Sequence, residues 1–140
     1  MNDELTMILR MLLTLVLAGI IGFQRERSGK PAGLRTHILI GLGAGLFTMV
    51  SLYAFQSPII ASGVVSGIGF LGAGAILKTG EGFVTGLTTA ASIWVTAAIG
   101  LATGSGLYLV AITTTIIALA VLIIHPRVAH LICTVPKEDK

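Results

Sequence analysis

The sequence predicts an all-α membrane protein: a bundle of about five transmembrane helices, N-terminus outside and C-terminus cytoplasmic. Three observations predict it. Hydrophobic residues make up 54% of the 140 residues and charged residues only 11%, whereas a soluble domain carries about 25% charged residues. Apolar residues gather into five stretches, each close to the roughly 20 residues that cross a hydrocarbon core of about 30 Å. All the basic residues except Arg10 fall outside those stretches, on one side once five helices are threaded. The mean hydropathy of +0.97 agrees, and the length suits one domain.

The first stretch runs from about Leu5 to Phe23 and contains Arg10. Asp3 and Glu4 precede it, Arg25, Glu26 and Arg27 follow it, and no small-x-small cleavage site comes after it. It reads as an uncleaved span rather than a signal peptide. The second, about Thr36 to Phe55, is closed by Ser57-Pro58, because the residue before proline disfavours helix. The third, about Ile59 to Leu77, ends in the polar turn Lys78 to Gly82. The fourth, about Phe83 to Leu101, ends in Thr103-Gly104-Ser105-Gly106, and the fifth, about Leu107 to Ile124, in His125-Pro126-Arg127. None alternates like a strand, and without water to satisfy the backbone a helix is the sensible spanning form. Residues 1–126 are expected to form the transmembrane domain and 127–140 a short cytoplasmic tail, too short for a second domain.

Orientation follows from Arg25, Arg27, Lys30 and Arg35 after the first span, Lys78 after the third, and Arg127, Lys137 and Lys140 in the tail. The opposite loops carry no Lys or Arg, so the basic side reads as cytoplasmic. Arg10 lies near the outer end of the first span. It reads either as a snorkelling arginine or as an inward charge in a functional cavity. The single cysteine, Cys133, can form neither an internal disulfide nor a multi-cysteine metal site.

Three constellations are candidates for chemistry. In the third span Ser62, Ser66, Gly69 and Ala73 recur every three or four residues, beside Gly63, Gly67 and Gly74. Gly63, Gly67, Gly69 and Gly74 are expected to bring helices close, as small residues do in membranes, and Gly41, Gly43 and Gly45 offer the same in the second. In the fourth span Thr85, Thr89, Ser92 and Thr96 share one face, with Thr88 beside them. This polar stripe reads as packing on the small face of the third span, or as a hydrated path for an ion. The loop from Gln24 to His37 has the densest charge, and Arg25, Glu26, Arg27, Gly33, Arg35 and Thr36 form its candidate site. Its arginines suit a lipid phosphate, a nucleotide phosphate or an acidic partner, or serve topology alone. Gly67-x-Gly69-x-x-Gly72 matches a dinucleotide fingerprint only by letters, since it lies inside an apolar span. His37, His125 and His130 read as interfacial residues, not bases or ligands.

Three ordered blocks carry a family resemblance: Gly19 to Arg27 followed by Ala32-Gly33-Leu34-Arg35-Thr36-His37, then Val64 to Gly74, then Gly86 to Trp94. They are similar to the signatures of the MgtC/SapB family around its first-to-second, third and fourth spans. The resemblance implies a multi-pass protein of the bacterial inner membrane, linked to growth at low magnesium and in some members to virulence. Magnesium transport has been proposed for such proteins, and some are described as modulating other membrane proteins, including the ATP synthase. The chain departs from the family's usual pattern at Gln56-Ser57-Pro58-Ile59, which is uncharged, and at Thr85, where an arginine is common. It is expected to correspond to the transmembrane part alone, without the soluble C-terminal domain of many members.

Two functions follow as expectations. One is a transporter or channel component for magnesium or another ion. The other is a non-catalytic regulator that binds another membrane protein, for example an ATP synthase, through its helices. Magnesium prefers oxygen ligands and keeps several waters, yet Asp3, Glu4, Glu26, Glu81, Glu138 and Asp139 all lie outside the apolar stretches. Transport is nevertheless placed first, because a polar stripe is expected to face a glycine-rich helix. No catalytic set and no cofactor are expected beyond Mg2+ as a moved or sensed ion, and the metal ligands stay unassigned. The expected partners are the lipid bilayer, a second copy in a homodimer or larger homo-oligomer, and, in the regulator reading, another membrane protein, with no nucleic acid.

Overall fold

The computed structural model describes residues 3–78 and 84–124. Among these, five α-helices account for most of the chain. The tail with His125, Arg127, His130, Cys133, Lys137 and Lys140, and the turn containing Glu81, lie outside the described residues.

Helix α1, Asp3–Arg27, is 25 residues long. It runs four residues past its apolar stretch, because Gln, Arg and Glu are good helix formers and cations suit a helix C-terminus. It stops where Gly29 takes a left-handed φ of 65°. There the Lys30 N–H donates to the Arg25 carbonyl and the Gly29 N–H to the Glu26 carbonyl, the Schellman arrangement. Helix α2, Leu34–Met49, continues as a π-helical turn, Val50–Ala54. Ser51 secures the reversal that follows: its hydroxyl donates to the Ser57 carbonyl and accepts from the Ala61 N–H.

Helix α3, Ile59–Gly74, is shorter than its apolar stretch. Leu77–Lys78 forms strand β1, paired antiparallel with β2, Val84–Thr85, so that Leu77 faces Thr85. The chain enters α4, Leu87–Gly104, through Gly86 at a φ of 90°. No β-carbon fits at Gly86 against the Ala75 carbonyl, so the fourth helix starts after Thr85 and not at Phe83. Helix α5, Tyr108–Ile123, closes the described fold. Helices α1, α2 with its π-turn, and α4 are long and apolar enough to cross a membrane, while α3 and α5 are shorter apolar helices.

Large side chains point outward and small or polar ones inward. Phe70, Leu109 and Leu39 are 84%, 78% and 69% exposed, as lipid-facing residues should be. The interior divides into one cluster of Ala32, Ala44, Ile68, Ile93 and Ala97 and another of Leu17, Ile21, Ile99 and Ala111. Helix α4 contributes to both and is the central helix. Lipid tails are as apolar as leucine, so such interiors are held by close packing and interhelical hydrogen bonds rather than by hydrophobic exclusion.

The closest packing is between α2 and α4, which run in the same direction. A β-carbon at Gly104 would stand 2.7 Å from the Gly45 carbonyl oxygen, and one at Gly100 would meet the Gly41 carbonyl and, at 2.9 Å, the Ala44 side chain. Two GxxxG pairs, Gly41/Gly45 and Gly100/Gly104, therefore face each other. The small face of α3 is not what brings it close to the other helices of this chain: at Gly63, Gly67, Gly69 and Gly74 a β-carbon would meet nothing within 4 Å among the described residues. Helix α3 instead packs on α4 through Ile68, which is buried, and Gly72, which faces Ala90.

Candidate functional site

The α1–α2 loop, the β1–β2 hairpin and the last turn of α5 gather at one end of the bundle, here the basic end. Arg25, in the last turn of α1, was expected in a loop but is helical and only 3% exposed. Its position follows from a stripe on α1: Thr14, Ala18, Ile21 and Arg25 recur every three or four residues and all are buried. The Arg25 Nη2 donates to Thr89 Oγ1 at 2.8 Å. Its Nε is buried with no hydrogen-bond partner, as is Oε1 of the neighbouring Gln24. No carboxylate among the described residues pairs with this guanidinium.

His37 is also not the interfacial residue expected: it is fully buried in the first turn of α2. Its Nδ1 lies 2.9 Å from the Gly33 carbonyl oxygen, which can only accept, so the proton sits on Nδ1 in that bond. Its Nε2 faces Ser92 Oγ at 3.2 Å. Arg25, Thr89, His37 and Ser92 thus form one buried polar cluster joining α1, α2 and α4.

The rest of the predicted loop site disperses around this cluster. Glu26 is exposed, and its carboxylate accepts the Leu34 N–H at 2.8 Å, closing the first turn of α2 where Gly33 offers no side-chain cap. A β-carbon at Gly33 would stand 2.8 Å from Glu26 Oε2, so glycine leaves room for that carboxylate. Arg27 stacks over the Phe23 ring at 5.9 Å. Arg35 and Thr36 are exposed on the first turn of α2, in helix rather than loop.

The polar stripe divides as well. Thr89, Ser92 and Thr96 are buried, but Thr88 is exposed and Thr85 lies in β2, outside the helix. The buried members face α1 and α2, not α3. The Thr96 hydroxyl donates to the Ser92 carbonyl and the Ser92 hydroxyl to the Thr89 carbonyl, each at 2.8 Å. Thr48 and Thr115 likewise bond back to Ala44 and Ala111. Farther along, Thr14 and Thr103 hydroxyls meet at 2.5 Å. These hydroxyls satisfy one another and their own helices, as they do in dry helix interfaces.

Arg10 closes the opposite end, neither snorkelling freely nor lining a cavity. Its Nη1 donates to the Gly104 carbonyl at 2.8 Å and its Nε to the Tyr108 hydroxyl at 2.9 Å. The guanidinium also lies 5.4 Å from the Tyr53 ring centroid. It ties the end of α4 to α1, α5 and the π-turn. Hydrogen bonds to a charged group contribute about 1.5–3 kcal/mol. Arg10→Met is therefore expected to cost about 2 kcal/mol and Tyr108→Phe about 1 kcal/mol, read as thermal unfolding in detergent. Equal melting of both variants and the wild type would show the clamp to be idle.

Among the described residues no three His, Cys, Asp or Glu side chains come together to hold a metal.

The chain matches the MgtC family model over residues 11–131. It is 48% identical to YhiD of Escherichia coli strain K12, which is named as a candidate magnesium transporter, over 82% of this chain and 58% of YhiD. It is 42% identical to SrpB of Synechococcus elongatus, over 76% of this chain and 68% of SrpB. It is 46% identical to MgtC of Brucella abortus strain 2308, over 76% of this chain and 45% of that protein. The chain thus spans about half to two thirds of the curated relatives it matches. No solved structure matches it.

Proposed function

The chain belongs to the MgtC family, and we propose that it serves magnesium-linked physiology as a non-catalytic regulator. It acts in this reading by contact with another membrane protein, and its own bundle conducts nothing. The magnesium link draws on the name of YhiD. The membrane is the bacterial inner membrane, with the basic end cytoplasmic by the positive-inside rule.

The closed centre of the bundle carries the proposal. Gly100 and Gly104 lie against the Gly41 and Gly45 carbonyls with no room for a β-carbon on either. The hydroxyls beside that seam are spent on helix carbonyls and on each other. Magnesium sheds water reluctantly and needs oxygen ligands in an octahedral set. Along this seam it would meet satisfied hydroxyls and then the Arg25 guanidinium, a like charge. Asp3, Glu4 and Glu26, the carboxylate residues among those described, stand in the first and last turns of α1. A transport path would need the polar stripe to face the glycine-rich side of α3, whereas Thr89, Ser92 and Thr96 face α1 and α2.

A second reading has some support in Glu26, exposed at the basic end. In an oligomer it could ring a path between copies. Proteoliposomes holding only this protein and a magnesium-sensitive dye separate the two. Uptake is expected to equal that of empty vesicles. Uptake above that rate, lost in Glu26→Gln, would establish conduction and overturn the regulator reading.

A further inference from the structure

The outward side of α2 and α3 carries a feature that the proposed function does not use. The two helices diverge to leave an apolar groove of about 510 Å3. Leu39 and Phe47 form one wall, Ile60 and Leu71 the other, and Gly63 and Gly67 lie on its floor. Nothing stands within 4 Å of a β-carbon built at either glycine.

We propose that this groove holds one acyl chain of an anionic phospholipid whose phosphate is bound by Arg35. This holds whether or not the protein is a regulator. Size supports it first. From Ile60 to Leu71 the helix rises about 16 Å, close to half of a hydrocarbon core of about 30 Å, the depth of one leaflet. Spread over that length, 510 Å3 leaves a cross-section of about 30 Å2. A single hydrocarbon chain fits a slot of that length and width.

Charge supports it second. Arg35 stands one helical turn before Leu39, and Thr36 one turn before Ile40, so both continue the α2 side of the groove at its basic end. Both are exposed. Of the cations on the α1–α2 connection, Arg25 is buried on Thr89, Arg27 is stacked on Phe23, and Lys30 is exposed in the turn before α2 begins, whereas Arg35 lies on α2 itself, in line with Leu39 of the groove. Arg35 has no hydrogen bond or ion pair among the described residues. A hydrocarbon slot ending in an uncommitted guanidinium and a hydroxyl matches a phosphate head joined to an apolar tail.

The protein is purified in mild detergent, equilibrated with equal dioleoyl phosphatidylglycerol and dioleoyl phosphatidylcholine, and weighed intact by native mass spectrometry. The wild type is expected to retain one phosphatidylglycerol. Gly67→Leu should lose it, and the open space at Gly67 lets that variant fold. Arg35→Gln should weaken retention roughly fivefold, the worth of one interfacial cation, while Arg27→Gln should not. Equal losses from Arg27→Gln and Arg35→Gln would mean general attraction to headgroups and overturn the site. So would undiminished retention in folded Gly67→Leu, or a change in that variant's oligomeric mass with no change in lipid, which would make the groove a contact between copies. If Gly67→Leu does not fold, the Arg35 and Arg27 pair decides alone.

Discussion

Gly100→Leu is expected to prevent the bundle from closing, whereas Gly67→Leu leaves its melting temperature unchanged. Both substitutions add the same side chain to the middle of an apolar helix, and the letters around them look alike. At Gly100 the new β-carbon would run into the Gly41 carbonyl and approach Ala44 at 2.9 Å. These are backbone and a short side chain, so nothing can swing aside. Helices α2 and α4 would have to separate, opening the polar cluster at the basic end. Overpacking a core usually costs about 1–3 kcal/mol and occasionally more. A whole isobutyl group driven into a backbone-to-backbone seam should exceed about 3 kcal/mol. The measurement is the yield of monodisperse protein and its thermal unfolding in one detergent. A Gly100→Leu protein that melts with the wild type would show that the α2–α4 seam is not closed as described.

Arg25→Met is the second substitution with a large expected effect, and its signs are opposed: stability rises or holds, and function is lost. Arg25 keeps a guanidinium 3% exposed, with one neutral hydroxyl partner and an Nε that donates to nothing. Removing one member of a matched buried pair strands a charge, but no carboxylate here would be stranded. Replacing buried charges by apolar side chains of similar volume is often neutral or stabilising by about 1–4 kcal/mol. Methionine fills most of the space and leaves the Thr89 hydroxyl free to bond back along its helix. The melting temperature is therefore expected to stay level or rise. A buried cation that costs stability is a reasonable place for function. Growth at low magnesium, in a strain that depends on this protein, should accordingly fail with Arg25→Met. A variant that melts lower but still supports growth would make Arg25 a structural latch instead.

Much of the architecture was legible from composition and spacing. Five apolar stretches became five helices, and the two basic regions among the described residues, the α1–α2 connection and Lys78 in β1, lie at one end. The edges were less legible. Gln24 to Arg27 look like loop by charge, yet the helix runs on until Gly29 can turn left-handed. Thr85 keeps the four-three-four spacing of a helical stripe, but Gly86 and the β1–β2 pairing hold it outside. The inward placement of His37 and Arg25 had a signal that charge obscured. His37, Gly41, Gly45 and Thr48 repeat on α2 the small-and-polar stripe of Thr14, Ala18, Ile21 and Arg25 on α1. Aligning those stripes with Thr89, Ser92 and Thr96 brings the buried cluster together.

The sequence by itself determined that this chain is a helical membrane bundle with one basic end. Bilayer thickness, backbone hydrogen bonding and charge burial act on every residue alike and need no knowledge of neighbours. Only the tertiary structure decided which small residues meet. Gly41/Gly45, Gly63/Gly67 and Gly100/Gly104 are the same motif three times. The first and last close the α2–α4 seam, while the middle pair floors a groove open to lipid. Close packing is a property of two surfaces, so one helix read alone cannot say whether its glycines meet a backbone or a hydrocarbon chain.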